Sequence, residues 1–150
     1  MFGNVLIGLG VMVICLFVQA LLVAVSVQFY ARHQIGVAAS FTSTVLLICC
    51  VMMVLVLGNF VQITIWGALF VYLGEFESYR LAAYHSAVNF ATLGYGDIVM
   101  SEQHRILGPM QAINGVLMVG VSTAVMMSTL QDSLRRTVAG RSEDADASGL

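Results

Sequence analysis

Charged residues are scarce in this chain of 150 residues. Only 9% of the residues are charged, lysine is absent, and 59% of the residues are hydrophobic. Because soluble domains usually contain about 25% charged residues, the composition excludes that class. The mean hydropathy of +0.93 likewise indicates an integral membrane protein, with room for a single module.

Clusters of nucleophilic or metal-binding side chains are also missing from the sequence. Three cysteines fall inside apolar stretches without the spacing of a metal site, and three histidines lie in separate connecting regions. These residues are Cys15, Cys49, Cys50, His33, His85 and His104. Since no Ser/His/Asp or Cys/His set converges, we expect no enzymatic activity and no organic cofactor.

Long stretches without charge are present instead. Residues 1–31 and 33–74 contain no Asp, Glu, Lys or Arg, and a third apolar stretch covers about 106–130. Each exceeds the ~20 residues that cross ~30 Å of hydrocarbon as a helix. The second stretch is too long for one perpendicular helix and too short for two, so we expect one long, tilted helix. The sequence therefore predicts an all-α membrane protein with three transmembrane helices.

The arginines predict the orientation in the membrane, because cytoplasmic loops are enriched in basic residues. Arg32 lies between the first two spans, while Arg135, Arg136 and Arg141 follow the third. Placing these four in the cytoplasm puts residues 75–105 outside. We therefore expect an external N-terminus and a cytoplasmic C-terminus, in a plasma membrane or a bacterial inner membrane.

The segment between the second and third spans begins with a predicted short helix over about residues 79–91. Ser78 is a suitable N-cap, and apolar residues recur at helical spacing after it. The chain then reads Thr-Leu-Gly-Tyr-Gly-Asp over residues 92–97. Gly94 and Gly96 can adopt left-handed dihedrals without steric conflict. Non-helical backbone at this depth must be buried in protein or line water.

This hexapeptide, called the 92–97 segment below, resembles the selectivity filter of the potassium channel pore-domain family. The resemblance covers about residues 79–131 and indicates a bacterial two-transmembrane-type pore module with one extra N-terminal helix. It implies an extra helix over 1–31 and a pore module over 32–131, comprising an outer helix (about 42–74), a re-entrant pore helix (about 79–91), the filter (92–97) and an inner helix (about 106–131). We expect residues 132–150 to form a short, disordered cytoplasmic tail, since its end, residues 142–150, is small, polar and acidic.

By this resemblance, main-chain carbonyl groups replace the water shell of potassium ions in the filter. The implied ion-binding residues are Thr92, Leu93, Gly94, Tyr95 and Gly96, with K⁺ ions as the bound species. The side chains of Leu93 and Tyr95 are expected to point outward into protein, and Asp97 to lie at the outer mouth. A ring of carbonyls needs four strands around one axis, so the resemblance also implies a homotetramer.

Three residues of the predicted pore helix are candidates for supporting the filter, namely Tyr84, His85 and Asn89. Val88 stands where some family members have a glutamate that pairs with the filter aspartate. Asp97 therefore needs another donor, and we predict that Tyr84 or His85 supplies it. A packing role with one hydrogen-bonded nitrogen is the alternative for His85.

The predicted inner helix contains two glycines with different expected roles. By resemblance to simple bacterial potassium channels, Gly115 is a gating hinge and Gly120 a close-packing position. The alternative for both is ordinary helix packing, because glycine lets membrane helices approach each other. Val116, Val119 and Thr123 are expected to line a water-filled cavity. Asn114 is expected to bond the pore helix near Asn89.

The resemblance implies a channel that conducts K⁺ passively and selectively. The altered residues behind the filter leave open a weakly selective monovalent cation channel. A non-conducting membrane scaffold or regulatory subunit that keeps the fold is a further alternative. We expect other copies of the chain and membrane lipids as partners, and no nucleic acid.

Overall fold

The computed structural model describes residues 2–37 and 41–147. Over these ranges the chain forms four helices and no strand: α1 (Phe2–Val37), α2 (Phe41–Tyr72), α3 (Tyr79–Phe90) and α4 (Leu107–Ala147). Three of them contain stretches long and apolar enough to cross a membrane, which are Phe2–His33, Thr42–Tyr72 and Leu107–Arg135. The predicted all-α membrane fold with three spans and a short intervening helix is confirmed.

Helix α1 runs in the same direction as α4 and lies beside it. Two hydrogen-bonded pairs mark this contact, formed by Gln19 with Ser122 and Tyr30 with Thr129, and Asn4 bonds Gln103 in the connection before α4. Helix α1 also packs against α2, but among the described helices it makes no contact with α3. Helix α1 therefore reaches the region of the 92–97 segment through α2, through α4 and through the connection that contains Gln103.

Two apolar clusters fill the contacts between the helices. The first is built around Trp66 of α2 and Leu107 of α4, and the second around Val51 and Leu55 of α2. Because lipid tails are as apolar as these side chains, close packing rather than removal from water stabilises such contacts in a membrane. The polar residue Gln62 lies between the two clusters along α2 and is fully buried.

Helix α2 approaches α3 closely at a glycine. A Cβ atom placed on Gly67 would lie 3.2 Å from the Cα atom of Ala83, closer than ordinary van der Waals contact. Small residues at such crossings allow two helix backbones to pack directly. This contact seats the short helix α3 against the second span.

The ends of the long helices differ from the sequence-based bounds. Helix α1 continues past residue 31 to Val37, and α4 continues to Ala147, where a disordered tail over 132–150 is expected. Once a helix is nucleated, each added residue brings one hydrogen bond, so a polar sequence can prolong an apolar helix. Composition marks where a helix leaves the hydrocarbon, but it does not mark where the helix ends.

Candidate functional site

Helix α3 begins at a side-chain cap. Ser78 has extended backbone dihedrals, with φ −129° and ψ 141°, and its side chain accepts a hydrogen bond from the backbone N–H of Leu81. This bond satisfies one of the free N–H groups in the first turn. The predicted N-cap is therefore confirmed, and α3 starts at Tyr79 as expected.

The C-terminus of α3 sets the backbone of the next residue. The N–H of Thr92 bonds the carbonyl of Asn89, and the N–H of Leu93 bonds the carbonyl of Val88, both at 2.9 Å. These two bonds form a Schellman motif, in which the residue after the C-cap adopts a left-handed conformation. Here that residue is Thr92, with φ +58°, where glycine is usual. A residue with a side chain is less stable in this conformation by about 1–2 kcal/mol.

Positive φ angles recur at every second residue of the 92–97 segment. They are +58° at Thr92, +56° at Gly94 and +73° at Gly96, whereas Leu93 and Tyr95 have negative values. The alternation expected from the two glycines is therefore present, and it begins at Thr92, two residues before the first of these glycines. The backbone has the change of hand that successive carbonyls need in order to face one side.

The 92–97 segment is exposed within a single chain. Leu93 is 54% exposed and Tyr95 is 64% exposed, and every residue from 91 to 97 is classed as exposed. The side chains of Leu93 and Tyr95 are expected to point into protein, but their own chain does not cover them.

Tyr84 joins the middle of α3 to the end of the 92–97 segment. Its hydroxyl donates a hydrogen bond to Oδ2 of Asp97 over 2.7 Å, so Tyr84, not His85, is the donor to this carboxylate. The hydrogen bond to Asp97 raises the pKa of Tyr84, because an ionised oxygen could no longer donate and would face a carboxylate.

His85 is buried against aromatic rings and bonds Asn89 instead. Its ring lies 5.7 Å from that of Phe70 and 5.1 Å from that of Phe76. Burial lowers the pKa of His85, so the neutral ring is favoured and its Nε2 can accept the Asn89 amide N–H at 2.9 Å. This geometry matches the alternative expectation for His85, a packing residue with a hydrogen-bonded nitrogen.

A carboxylate outside the hexapeptide ties down the chain that follows it. Glu75 accepts hydrogen bonds from the backbone N–H of Ser101 at 2.7 Å, from the Ser101 hydroxyl at 2.6 Å, and from Nδ1 of His104. Desolvation alone would raise the pKa of Glu75, but these hydrogen bonds outweigh it and lower the pKa. No local sequence motif marks this group, because Ser101 and His104 lie 26 and 29 residues after Glu75.

A cavity of about 600 Å³ lies against the 92–97 segment. Its lining includes His85 and Asn89 from α3, Gly94 and Gly96 from the segment, and Gly108 from the start of α4. The structure thus brings two of the three predicted support residues to the same cavity as the backbone they are expected to support. The cavity is open on one side of the single chain.

Gly115 and Gly120 of α4 differ in how closely the rest of the chain packs against them. A Cβ atom on Gly115 would lie 2.1 Å from the carbonyl oxygen of Phe90, at the C-terminus of α3. At Gly120 a Cβ atom would meet nothing within 4 Å in the described part of the chain. Within the described chain Gly115 is the close-packing position, because α4 crosses α3 there, and the close-packing role of Gly120 stays a prediction.

The predicted cavity residues of α4 share a face that their own chain leaves open. Val116 is 60% exposed, Val119 is 47% exposed, and Thr123 is exposed with its hydroxyl bonded to the Val119 carbonyl at 2.9 Å. Asn114 points elsewhere, because its amide donates to Oε1 of Gln62 at 3.4 Å. The expected bond near Asn89 is therefore wrong, since Asn89 faces His85.

Part of the chain is similar to a known protein family. Residues 60–132 match the family model described as "Ion channel", a segment just under half of the 150-residue chain. It begins in α2, includes α3 and the 92–97 segment, and ends in α4, so it leaves α1 outside. No curated protein and no solved structure matches the chain.

The match supports an ion-channel pore domain, which indicates a transport protein rather than an enzyme. With the three span-length helices, it also supports a multi-pass membrane protein. Over residues 60–132 the chain is similar to the ion-channel family.

Proposed function

We propose that the protein is a potassium-selective channel that conducts K⁺ passively across a membrane. One observation carries the proposal: φ is positive at Thr92, Gly94 and Gly96, directly after a short helix that lies between two span-length helices. A backbone that alternates in hand can present successive carbonyl oxygens to one side. The ion-channel match over the same residues supports this function class.

Main-chain oxygens supply the chemistry that potassium transport requires. Transfer of an ion from water to a low-dielectric medium costs of order 20 kcal/mol in an idealised estimate, so other oxygens must replace its hydration shell. Carbonyl rings perform this replacement in potassium channels. The ligating carbonyls are those of Thr92, Leu93, Gly94 and Tyr95, with Gly96 completing the strand. The Asp97 carboxylate raises the local cation concentration at the outer mouth.

The end of α3 adds a favourable field for a cation. A helix C-terminus carries about half a negative elementary charge. The Schellman bonds engage the carbonyls of Val88 and Asn89, and the same turn leads directly into Thr92. Four such helix ends around one axis would stabilise a cation below the filter.

Four copies of the chain complete the site. One strand offers carbonyls to one side of an ion only, whereas a ring needs several strands. The exposure of Leu93 and Tyr95 in a single chain supports such an assembly, since neighbouring copies would cover both side chains. We therefore propose a homotetramer around an axis that passes along the 92–97 segments.

The proposed fourfold axis also assigns roles to the other parts of the chain. The open face of α4 with Val116, Val119 and Thr123 would line a water-filled cavity, and Gly115 would be the gating hinge. The N-terminus would be external and the C-terminus cytoplasmic, in a plasma membrane or bacterial inner membrane. Membrane lipids would cover the outward faces of the spans.

Ion flux from liposomes tests the function. Purified protein is reconstituted, and fluxes driven by K⁺ and Na⁺ gradients are compared with and without barium. A selective channel passes K⁺ in excess and is blocked by barium. Equal K⁺ and Na⁺ fluxes would indicate a weakly selective cation channel, and no flux would indicate a non-conducting scaffold.

A pair of glycine variants separates filter geometry from general strain. Gly96 and Gly74 have nearly equal φ angles, +73° and +74°, and in the described chain nothing lies within 4 Å of a Cβ on either. Both G96A and G74A therefore introduce the same strain of about 1–2 kcal/mol. We expect G96A alone to abolish the preference for K⁺ in the liposome assay. Equal losses in both variants would contradict the filter assignment.

A further inference from the structure

Helix α1 lies outside the matched channel segment, yet it contacts α4 on both sides of Gly115. Before this glycine, the Asn4 side chain bonds the carbonyl of Gln103, just before α4 begins. After it, Gln19 bonds Ser122. The contact continues past Ser122, where the Tyr30 hydroxyl reaches the carbonyl of Thr129 at 3.3 Å. An accessory helix that only filled space in the lipid would have no need of these polar contacts.

Gln19 is the centre of a buried chain of side-chain hydrogen bonds. Its Nε2 donates to the Ser122 hydroxyl at 3.0 Å, and its Oε1 accepts from Nε2 of Gln62 at 2.8 Å. The Gln62 oxygen then accepts from the amide of Asn114 at 3.4 Å. Gln19 is 2% exposed and Ser122 is 5% exposed. One amide of α1 therefore joins α2 to α4.

This series of hydrogen bonds is attached to α4 at two residues, Asn114 and Ser122, which lie on opposite sides of the hinge candidate Gly115. Asn114 immediately precedes Gly115, and Ser122 follows it by seven residues, about two helical turns. Gln62 of α2 thus holds α4 at Asn114, just before Gly115, and Gln19 of α1 holds α4 at Ser122, after Gly115. A bend at Gly115 changes the distance between these two attachment points.

The apolar surroundings of the Gln19–Ser122 hydrogen bond favour the conformation in which this bond is formed. Inside hydrocarbon no water is present to replace a broken side-chain hydrogen bond, so a separated Gln19 amide and Ser122 hydroxyl would each need a new partner. The flanking side chains are apolar, since Cys15 belongs to one apolar cluster and Val23 packs against the other. The conformation in which Gln19 meets Ser122 is stabilised relative to conformations in which they part.

We propose that α1 is a gating latch, in which the Gln19–Ser122 hydrogen bond holds the inner half of α4 in the conformation described here and must break when the pore changes state. This inference rests on the proposed function, since it requires a pore that opens and closes. It gives α1 a regulatory task that the minimal outer-helix, pore-helix and inner-helix module lacks.

The test is a double-mutant cycle read by single-channel recording in lipid bilayers. Q19L keeps the volume of the side chain nearly unchanged but removes its polar atoms, and S122A is the milder partner change. Each is expected to shift the open-to-closed ratio at least about threefold, as expected for loss of one intramembrane hydrogen bond. If the two residues act through their shared bond, the double variant shifts the ratio no further than the stronger single variant.

Q28L is the matched control, because Gln28 lies on α1 but is exposed. It is expected to leave the open-to-closed ratio unchanged, and all variants are expected to keep the K⁺ preference of the unmodified chain. If the unmodified chain conducts K⁺ while Q19L and S122A gate like it, the latch is wrong and the channel function stands. If the ratios in the two single variants multiply in the double variant, the bond is not the latch. A chain that passes no ions would overturn both proposals.

Discussion

The 92–97 segment and the three-helix core obtain their structure in opposite ways. The segment is exposed in its own chain and contains a left-handed threonine, but the local cap of α3 determines how it starts. The core around Gln19 and Gln62 is buried and its amides are bonded to partners from other helices. The backbone of the 92–97 segment is thus shaped locally and left uncovered by its own chain, whereas the core around Gln19 and Gln62 is packed within one chain.

The two regions meet at one point, where α4 crosses the end of α3. Gly115 touches the carbonyl of Phe90, which belongs to the last turn before Thr92. The residue proposed as a hinge is therefore also the contact of α4 with the end of α3, directly before the 92–97 segment. A bend of α4 at Gly115 would move the surface that supports α3, and in the proposed channel this contact would couple the hinge to the filter.

Breaking this contact has the largest expected effect. G115V places a branched side chain where even a Cβ atom would lie 2.1 Å from the Phe90 oxygen, so α4 or α3 must shift. We expect the free energy of unfolding to fall by about 3 kcal/mol or more, as for an overpacked core, with loss of K⁺ flux. Thermal unfolding in detergent measures the first effect and liposome flux the second. G120V is the control, since the described chain leaves space at Gly120, and an equal loss of flux and stability in both variants would contradict this account.

Removing one hydroxyl from Tyr84 tests how firmly the exposed segment depends on α3. Y84F removes the hydrogen bond to Asp97 but keeps the ring. We expect conduction to start normally and then to decay several-fold faster, because the outer end of the filter loses its tether. The time course of current under steady K⁺ measures this decay. Y79F changes an exposed tyrosine at the start of the same helix, and a decay as fast as that of Y84F there would argue against the tether.

A smaller, pH-dependent effect is expected at Glu75 and its partners Ser101 and His104, which fix the chain after the 92–97 segment. The folded-state pKa of Glu75 is lowered, so its stabilising contribution is complete above the ordinary carboxyl range near about 4.3 and is lost as the pH falls through the folded-state value. The ionised carboxylate faces Ser101 and His104, and protonation removes its capacity to accept all three bonds.

Thermal unfolding over a range of pH checks this expectation. E75Q should unfold at a lower temperature than the unmodified protein at neutral pH, and the difference should shrink as the pH drops below about 4. E77Q alters a neighbouring exposed carboxylate and should show little difference at any pH. A gap between E75Q and the unmodified protein that stays constant down to acid pH would show that Glu75 acts by packing alone.

Local features were predictable wherever neighbouring residues decide the outcome. Ser78 was identifiable as a cap because its partner lies three residues away, and Gly96 was identifiable as left-handed because glycine alone adopts that region freely. The left-handed conformation of Thr92 was not predictable, since threonine itself disfavours it. The two hydrogen bonds of the Schellman motif impose it. The choice of Tyr84 over His85 as the partner of Asp97 also required the packed α3, because aromatic rings enclose His85.

The sequence alone determined the number of spans, the place of the short helix between them and the glycines at which the backbone changes hand. These depend on the length of apolar runs and on the steric limits of single residues, which are properties of neighbours along the chain. Only the tertiary structure decided that Gly115 packs against α3, that Glu75 holds Ser101 and His104, and that Gln19 reaches Ser122. Those partners lie 25 to 103 residues apart, so no local pattern distinguishes them before the helices pack.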